Sequence, residues 1–239
     1  MAISHQHKFI FIHIPKCAGT SIEKHLRKFT RLKLMDPKIL NNQEVIEKNL
    51  TRTGSIHALE RHLSALEIRN LVGSKRFKEY FKFSFVRNPF SRLVSFYNFV
   101  LRLKRPDTSK LQVRLALEST SFKDFIYHSL QEEKMELFFN QHMYIYDDNL
   151  KNFMDFTGKV ENIQDDFSYV VEKLSLNNIN NTNFLLKLFQ GFYYNSPANV
   201  LPHSNRSKPT LYRQYYDKSL RIEVEKVCER DLELFGYDF

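Results

Sequence analysis

Apolar positions in this chain form two kinds of run. The dense kind appears first at residues 9–14, Phe-Ile-Phe-Ile-His-Ile, which are aromatic and β-branched apart from His13 and predict a buried strand. Residues 82–86, with alternating aromatics, predict a second strand. The spaced kind follows each strand. Ile22 and Leu26 share one face of a helix predicted over 20–29. Phe90, Val94, Tyr97 and Leu101 mark a helical stripe that starts with Pro89 in its first turn. Leu59, Leu63, Leu66 and Leu71 predict another helix ending at Gly73, with His57 at or just before its start and His62 inside it.

Residues 1–8 are polar and read as a frayed end. Asp36-Pro37 marks a turn, residues 41–50 a short helix, and residues 51–55 a loop. Residues 104–110 read as a polar linker, and helices are expected at 121–130, 133–143 and 165–174. Asp147-Asp148-Asn149 is a turn, and residues 151–161 predict one or two short strands. Residues 177–183, rich in asparagine, and residues 193–209, with three prolines, read as loops. One long amphipathic helix is expected over 218–235. No internal repeat or domain boundary interrupts the pattern, which predicts a single α/β domain over 1–239.

Chemistry concentrates where the two predicted strands end. After the first, Pro15 stops the strand, Ala18-Gly19 allows a sharp turn, and Thr20-Ser21 places hydroxyls at a helix start. Such a turn aims backbone N–H groups and the positive end of a helix dipole at one point, and Lys16 adds a full charge. That arrangement takes an anion, such as a phosphate. It is not a Walker A loop, because the lysine precedes the only glycine and the loop is too short. After the second strand come Arg87, Arg92 and Ser95. A guanidinium grips phosphate as a bidentate fork, and ligands of open parallel sheets sit at the carboxyl ends of strands. A ligand with phosphate-like groups at two ends fits both turns. The plainer alternatives are a solvated Lys16 and an ordinary surface ion pair at Arg87.

Composition narrows the partners. A net charge of +9 and a pI of about 9.4 favour anionic ones. With 42% hydrophobic residues, 22 Phe and no Trp, a sizeable core resting on phenylalanine is expected. The two cysteines, Cys17 and Cys228, form neither a disulfide framework nor a metal pattern. No signal peptide or membrane-spanning run is visible, so a cytoplasmic location is expected.

FIFIHIPKCAGTS, followed by FKFSFVRNPFSRLVSFY, is similar to sulfotransferases that use 3′-phosphoadenosine 5′-phosphosulfate (PAPS). More narrowly it resembles family-2 carbohydrate sulfotransferases, relatives of the heparan 2-O-sulfotransferases. The similarity continues in VENIQDDF at 160–167, in LPHSNRSKPTLY at 201–212 and in the last 25 residues. The resemblance implies a three-layer fold, a central mostly parallel sheet flanked by helices, of the P-loop-NTPase-like sulfotransferase type. It implies that Lys16 bridges the 5′-phosphate and the transferring sulfuryl group. Cys17, Ala18, Gly19, Thr20 and Ser21 then wrap the 5′-phosphate, and Arg87 and Ser95 hold the 3′-phosphate. Asn205, Arg206, Ser207 and Lys208 form a late loop over the cofactor. His57 becomes the catalytic base. Apart from the resemblance, His62 is the reserve candidate for that role, and His62 and His203 are candidate substrate contacts, His203 alternatively capping a loop. The product nucleotide is adenosine 3′,5′-bisphosphate, and no metal is needed. Cys17 stands where threonine is common and Val160 where phenylalanine is common.

Three activities compete. Sulfuryl transfer to a hydroxyl of a carbohydrate, or of a small hydroxylated metabolite, needs positioning and charge stabilisation, which these residues offer. An ATP-dependent sugar or nucleoside kinase lacks its Gly-Lys-Ser/Thr here. A non-enzymatic basic module for nucleic acid or acidic glycan predicts charge spread over many contacts, not gathered at strand ends, and no nucleic-acid partner is expected. The sequence leaves the oligomeric state open.

Overall fold

The structure, a computed structural model, describes residues 1–30, 55–57, 62–176 and 212–239, with backbone alone at 28–30 and 55–57. The chain opens with β1 (Ala2–Ser4), β2 (Phe9–Ile12), α1 (Gly19–Thr30) and β3 (Ser55–His57). Then come α2 (Ala65–Val72), α3 (Ser74–Glu79), β4 (Phe81–Val86) and α4 (Pro89–Val100). Helices α5 (Leu111–Glu118), α6 (Phe122–Leu130) and α7 (Glu136–Phe139) follow, then β5 (Phe156–Lys159) and α8 (Ile163–Lys173). The chain closes with α9 (Lys218–Val227) and α10 (Glu229–Phe235). By backbone proximity it divides into two compact units, Met1–Phe85 with Phe153–Ser204, and Val86–Asn152 with Asn205–Phe239.

The first unit holds a five-stranded sheet in the order β3-β1-β2-β4-β5. β2 and β4 are parallel, with Ile12 opposite Ser84. The Ser84 hydroxyl donates to the Ile12 carbonyl at 2.8 Å and ties the two strands again near their ends. β1 runs antiparallel to both β2 and β3, while β2 and β4 are parallel, so the sheet is mixed. Phe9, Phe11, Phe83 and Phe85 pack with Ile22 and Leu26 of α1 and with Phe167, Val170 and Val171 of α8. Ile10 and Ile12, on the other face of β2, are also fully buried. A strand covered on both faces needs continuous apolar sequence, which is why β2 was readable. Asp155 accepts from the Lys82 N–H and Nζ, each at 2.7 Å, and fixes the entry to β5.

Several expectations are corrected. Residues 1–8 do not fray: Met1, Ala2 and Ile3 are fully buried because β1 sits inside the sheet. Three residues are too few to display a period, so their pairing was invisible in sequence. His57 ends β3, opposite Ala2, so it lies in a strand. The helix after it begins only at Ala65, where Ser64 and Glu67 form a reciprocal capping box, so His62 lies ahead of it. The predicted helix 41–50 and the loops at 177–183 and 193–209 lie outside the described residues.

The second unit is helical. Phe90, Leu93, Tyr97 and Val100 of α4 pack with Phe122, Phe125, Phe139, Leu220 and Val224. α5 runs through part of the stretch after the predicted linker. The predicted helix at 133–143 is broken into a 3-10 turn, the single-turn α7 and a second 3-10 turn. The predicted long helix at the end of the chain is two helices, parted at Cys228 (φ −102°, ψ 9°). Cys228 is fully buried and its thiol reaches the Phe139 carbonyl at 3.7 Å. Among the described residues no helix is long and apolar enough to cross a membrane.

Candidate active site

The turn between β2 and α1 departs from ordinary backbone at two positions. Lys16 (φ 67°) and Ala18 (φ 60°) are left-handed, a conformation that costs a side-chain-bearing residue about 1–2 kcal/mol. Strain of this kind persists where the surroundings enforce it, and it gathers at ligand clamps. Alternating backbone hand also turns neighbouring N–H groups toward a common point, which makes an anion-binding concavity. The Cys17 N–H closes the turn on the Ile14 carbonyl at 3.3 Å. The Ser21 and Ile22 N–H groups turn back on the Ala18 carbonyl at 3.0 and 3.2 Å. No acidic side chain stands in the first turn of α1 to offset its positive end. Thr20 is exposed and Lys16 half-buried.

This turn rests on His13. A Cβ added to Gly19 would lie 2.1 Å from His13 Cδ2, so only glycine lets the helix start sit on the imidazole. His13 is buried, and its Nδ1 lies 3.0 Å from Oε1 of the fully buried Glu23 on α1. The same carboxylate oxygen receives the Met1 amino group at 2.5 Å. The His62 ring meets the His13 ring edge-on at 4.6 Å. Its Nδ1 is 2.9 Å from the His13 carbonyl oxygen, so Nδ1 carries the proton and donates. Burial, reinforced by the neighbouring His13, brings the His62 pKa down from 6.5 to about 3. His62 is thus a neutral ring braced against the end of β2. His13 stands just past the end of β2 and carries Gly19.

The turn after β4 is built differently. Asn88 caps α4, accepting from the Phe90 and Ser91 N–H groups at 3.1 and 3.3 Å, with Pro89 in the first turn. Its Nδ2 donates to the Asp238 carbonyl at 2.7 Å. Arg87 Nε donates to Ser91 Oγ at 3.0 Å. Ser91 and the half-buried Ser95, four residues apart, share a face of α4. The sequence pointed to Ser95 and missed Ser91. Arg92 takes another course: it is buried, and its Nη2 donates to the carbonyls of Phe138 and Phe139 at 2.5 and 2.7 Å, closing the end of α7.

Gln141 is a further residue that sequence reasoning missed. Its Oε1 accepts from the Arg87 N–H at 2.9 Å and its Nε2 donates to the Arg87 carbonyl at 2.8 Å. Nothing local to Gln141 signals this, since it lies 54 positions away. Of the remaining expected site residues, His57 is described by its backbone alone. His203, Asn205, Arg206, Ser207 and Lys208 lie outside the described residues.

Comparison with known proteins meets this geometry from another side. A protein of Archaeoglobus fulgidus described only as uncharacterized is 33% identical over 117 residues, 48% of this chain and 83% of that one. The structure of the mouse sulfotransferase SULT7A1, solved in complex with PAP, matches 96% of this chain and 86% of its own. Its TM-score is 0.51 and its sequence identity 10%, which establishes a common α/β fold. The profile of the Sulfotransferase family matches residues 1–238, running through both turns, and the protein therefore belongs to the sulfotransferase family.

Proposed function

We propose that this enzyme moves the sulfuryl group of PAPS to a hydroxyl of a carbohydrate acceptor. The observation that carries the reading is the turn after β2, with left-handed backbone at Lys16 and Ala18 ahead of an acid-free helix start. Lys16, Cys17, Ala18, Gly19, Thr20 and Ser21 hold the 5′ end of the nucleotide. Arg87 and Ser95, joined by Ser91, hold its 3′-phosphate. Asn205, Arg206, Ser207 and Lys208 close over it. The PAP in the mouse neighbour supports a nucleotide of this class. The family match crosses both compact units, which supports reading them as one sulfotransferase domain.

When bound, PAPS supplies a sulfuryl group already activated by its phosphate leaving group. The Lys16 ammonium and the N–H groups of its turn stabilise the charge that grows on the bridging oxygen, the kind of fixed electrostatics that dominates such transfers. His57 takes the proton of the acceptor hydroxyl, a task suited to an imidazole near neutral pH. His62, tied to the His13 carbonyl through Nδ1, braces the turn. The net charge of +9 supports an acidic acceptor.

Calorimetry with adenosine 3′,5′-bisphosphate tests the cofactor. Saturable binding that weakens in Arg87→Ala supports the reading; absent binding, or binding indifferent to Arg87→Ala, overturns it. His57→Ala is expected to abolish sulfuryl transfer while nucleotide affinity stays nearly constant. Labelled PAPS offered with panels of glycans and small hydroxylated metabolites then fixes the acceptor class, and turnover confined to the small metabolites overturns the carbohydrate reading.

A further inference from the structure

Arg87 is the first residue beyond β4, where the sheet no longer holds its backbone. Both polar groups of its main chain nevertheless meet a single side chain. The Gln141 amide accepts from the Arg87 N–H at 2.9 Å and donates to the Arg87 carbonyl at 2.8 Å. A primary amide that gives and takes in this way replaces one rung of a β-ladder, using a side chain where no strand continues.

Gln141 is fixed in turn by Asp231 of α10. The carboxylate is fully buried, yet four donors meet it. Oδ2 accepts from the Gln141 N–H at 2.7 Å and from Gln141 Nε2 at 3.1 Å. Oδ1 accepts from the His142 N–H at 2.9 Å and from His142 Nδ1 at 2.8 Å. A buried carboxylate with donors on both oxygens is costly to disturb and rigid once made. The chain of contacts thus runs from Asp231 through Gln141 to the Arg87 peptide. At the other end of the residue, Ser91 receives the guanidinium Nε. Main chain and side chain of Arg87 are thus both held by groups of its own compact unit.

We propose that Gln141, anchored by Asp231, is a positioning residue that aims the Arg87 guanidinium at the 3′-phosphate and so sets the preference of this enzyme for a 3′-phosphorylated nucleotide. The inference rests on the reading of Arg87 as the 3′-phosphate ligand. It assigns to Gln141 no contact with the nucleotide. Its effect passes through the direction of one forked side chain, whose two-point grip on phosphate tolerates little misalignment.

The experiment compares two nucleotides that differ only in the 3′-phosphate: adenosine 3′,5′-bisphosphate and adenosine 5′-monophosphate. Dissociation constants are measured by calorimetry for the full chain and for Gln141→Met, Asp231→Asn and Arg87→Ala. The wild type is expected to prefer the bisphosphate, and Arg87→Ala to lose most of that preference. Gln141→Met, near in length and without the amide, is expected to lower the preference roughly tenfold, the scale of one or two buried hydrogen bonds, with monophosphate affinity unchanged. Asp231→Asn is expected to lower it by less, in the same direction, and it carries the test if Gln141→Met does not fold. In the Arg87→Ala background, Gln141→Met is expected to add nothing. A general loosening weakens both nucleotides alike, and that result overturns the proposal. A lost preference in Arg87→Ala with an intact preference in both Gln141→Met and Asp231→Asn overturns the positioning role alone. An intact preference in Arg87→Ala overturns the reading of Arg87 and this inference with it.

Discussion

The two turns that follow β2 and β4 are both anion-seeking by composition, yet they are held in opposite ways. The turn at residues 15–21 is a local object. Its direct supports, His13 and Glu23, come from the end of the strand before it and the helix after it, with His62 bracing His13 from farther along the chain, and its shape is written in two left-handed residues and one obligatory glycine. The turn at residues 87–91 has ordinary chemistry and remote supports. Gln141, itself held by Asp231, and the Asp238 carbonyl reach it from 54 and 150 positions away. A local support is set once a few residues fold; a remote one exists only when the tertiary structure closes.

That contrast can be broken or sharpened by experiment. Lys16→Ala has the largest expected effect, a loss of turnover of about 10²–10³, the scale of removing one preorganised donor from a developing charge. Nucleotide affinity is expected to fall much less, whereas Arg87→Ala is expected to act mainly on affinity. Stopped assays and calorimetry on both variants separate the two, and equal patterns would erase the distinction between the turns.

Gly19→Ala comes next. Its Cβ meets the His13 ring at 2.1 Å, and overpacking of a tight site costs about 1–3 kcal/mol. Denaturant unfolding measures the loss. If the clash is the cause, His13→Ala in the same chain restores part of the stability that Gly19→Ala removes. If the double variant is simply the sum of the two losses, the turn does not rest on that ring.

A pH series probes the same support. Burial holds His62 at about 3 against its ordinary 6.5. Between these values the unfolded chain binds a proton that the folded chain refuses, so stability is retained above 6.5 and declines as pH falls through the window. His62→Gln is expected to flatten that decline in thermal scans; an unchanged slope would remove His62 from the account. The smallest effect is expected at the second turn. Asn88→Ala removes a helix cap and the donor to Asp238, and is expected to cost about 1 kcal/mol in denaturant unfolding.

Legibility in the sequence followed the same division. The strand at 9–12, its turn and α1 were readable because apolar density, proline, glycine and hydroxyls all lie within one short window. β4, Asn88-Pro89 and α4 were readable for the same reason. β1 was not, because three residues show no period and their burial comes from two neighbouring strands. The leucine spacing at 59–71 overran the true helix, since Ser64 and Glu67 cap it late and Leu66 faces outward, 39% exposed. Asp231 sits in a stretch, Glu-Arg-Asp-Leu-Glu-Leu-Phe, whose charges read as a solvated face. The break at Cys228 lies just before it, and Asp231 is fully buried against donors from Gln141 and His142.

The sequence by itself determined the two strand–turn–helix segments, the cation placed after each strand and, through the family match, the class of reaction. These depend on backbone preferences and side-chain types that act within one or two turns of chain. Only the tertiary structure decided that His13 bears Gly19, that β1 lies inside the sheet, and that Gln141 and Asp231 hold Arg87. Those arrangements depend on which buried polar group finds which partner. That choice is made by the desolvation cost of leaving any of them unpaired, and it is settled across the whole chain rather than in any window of it.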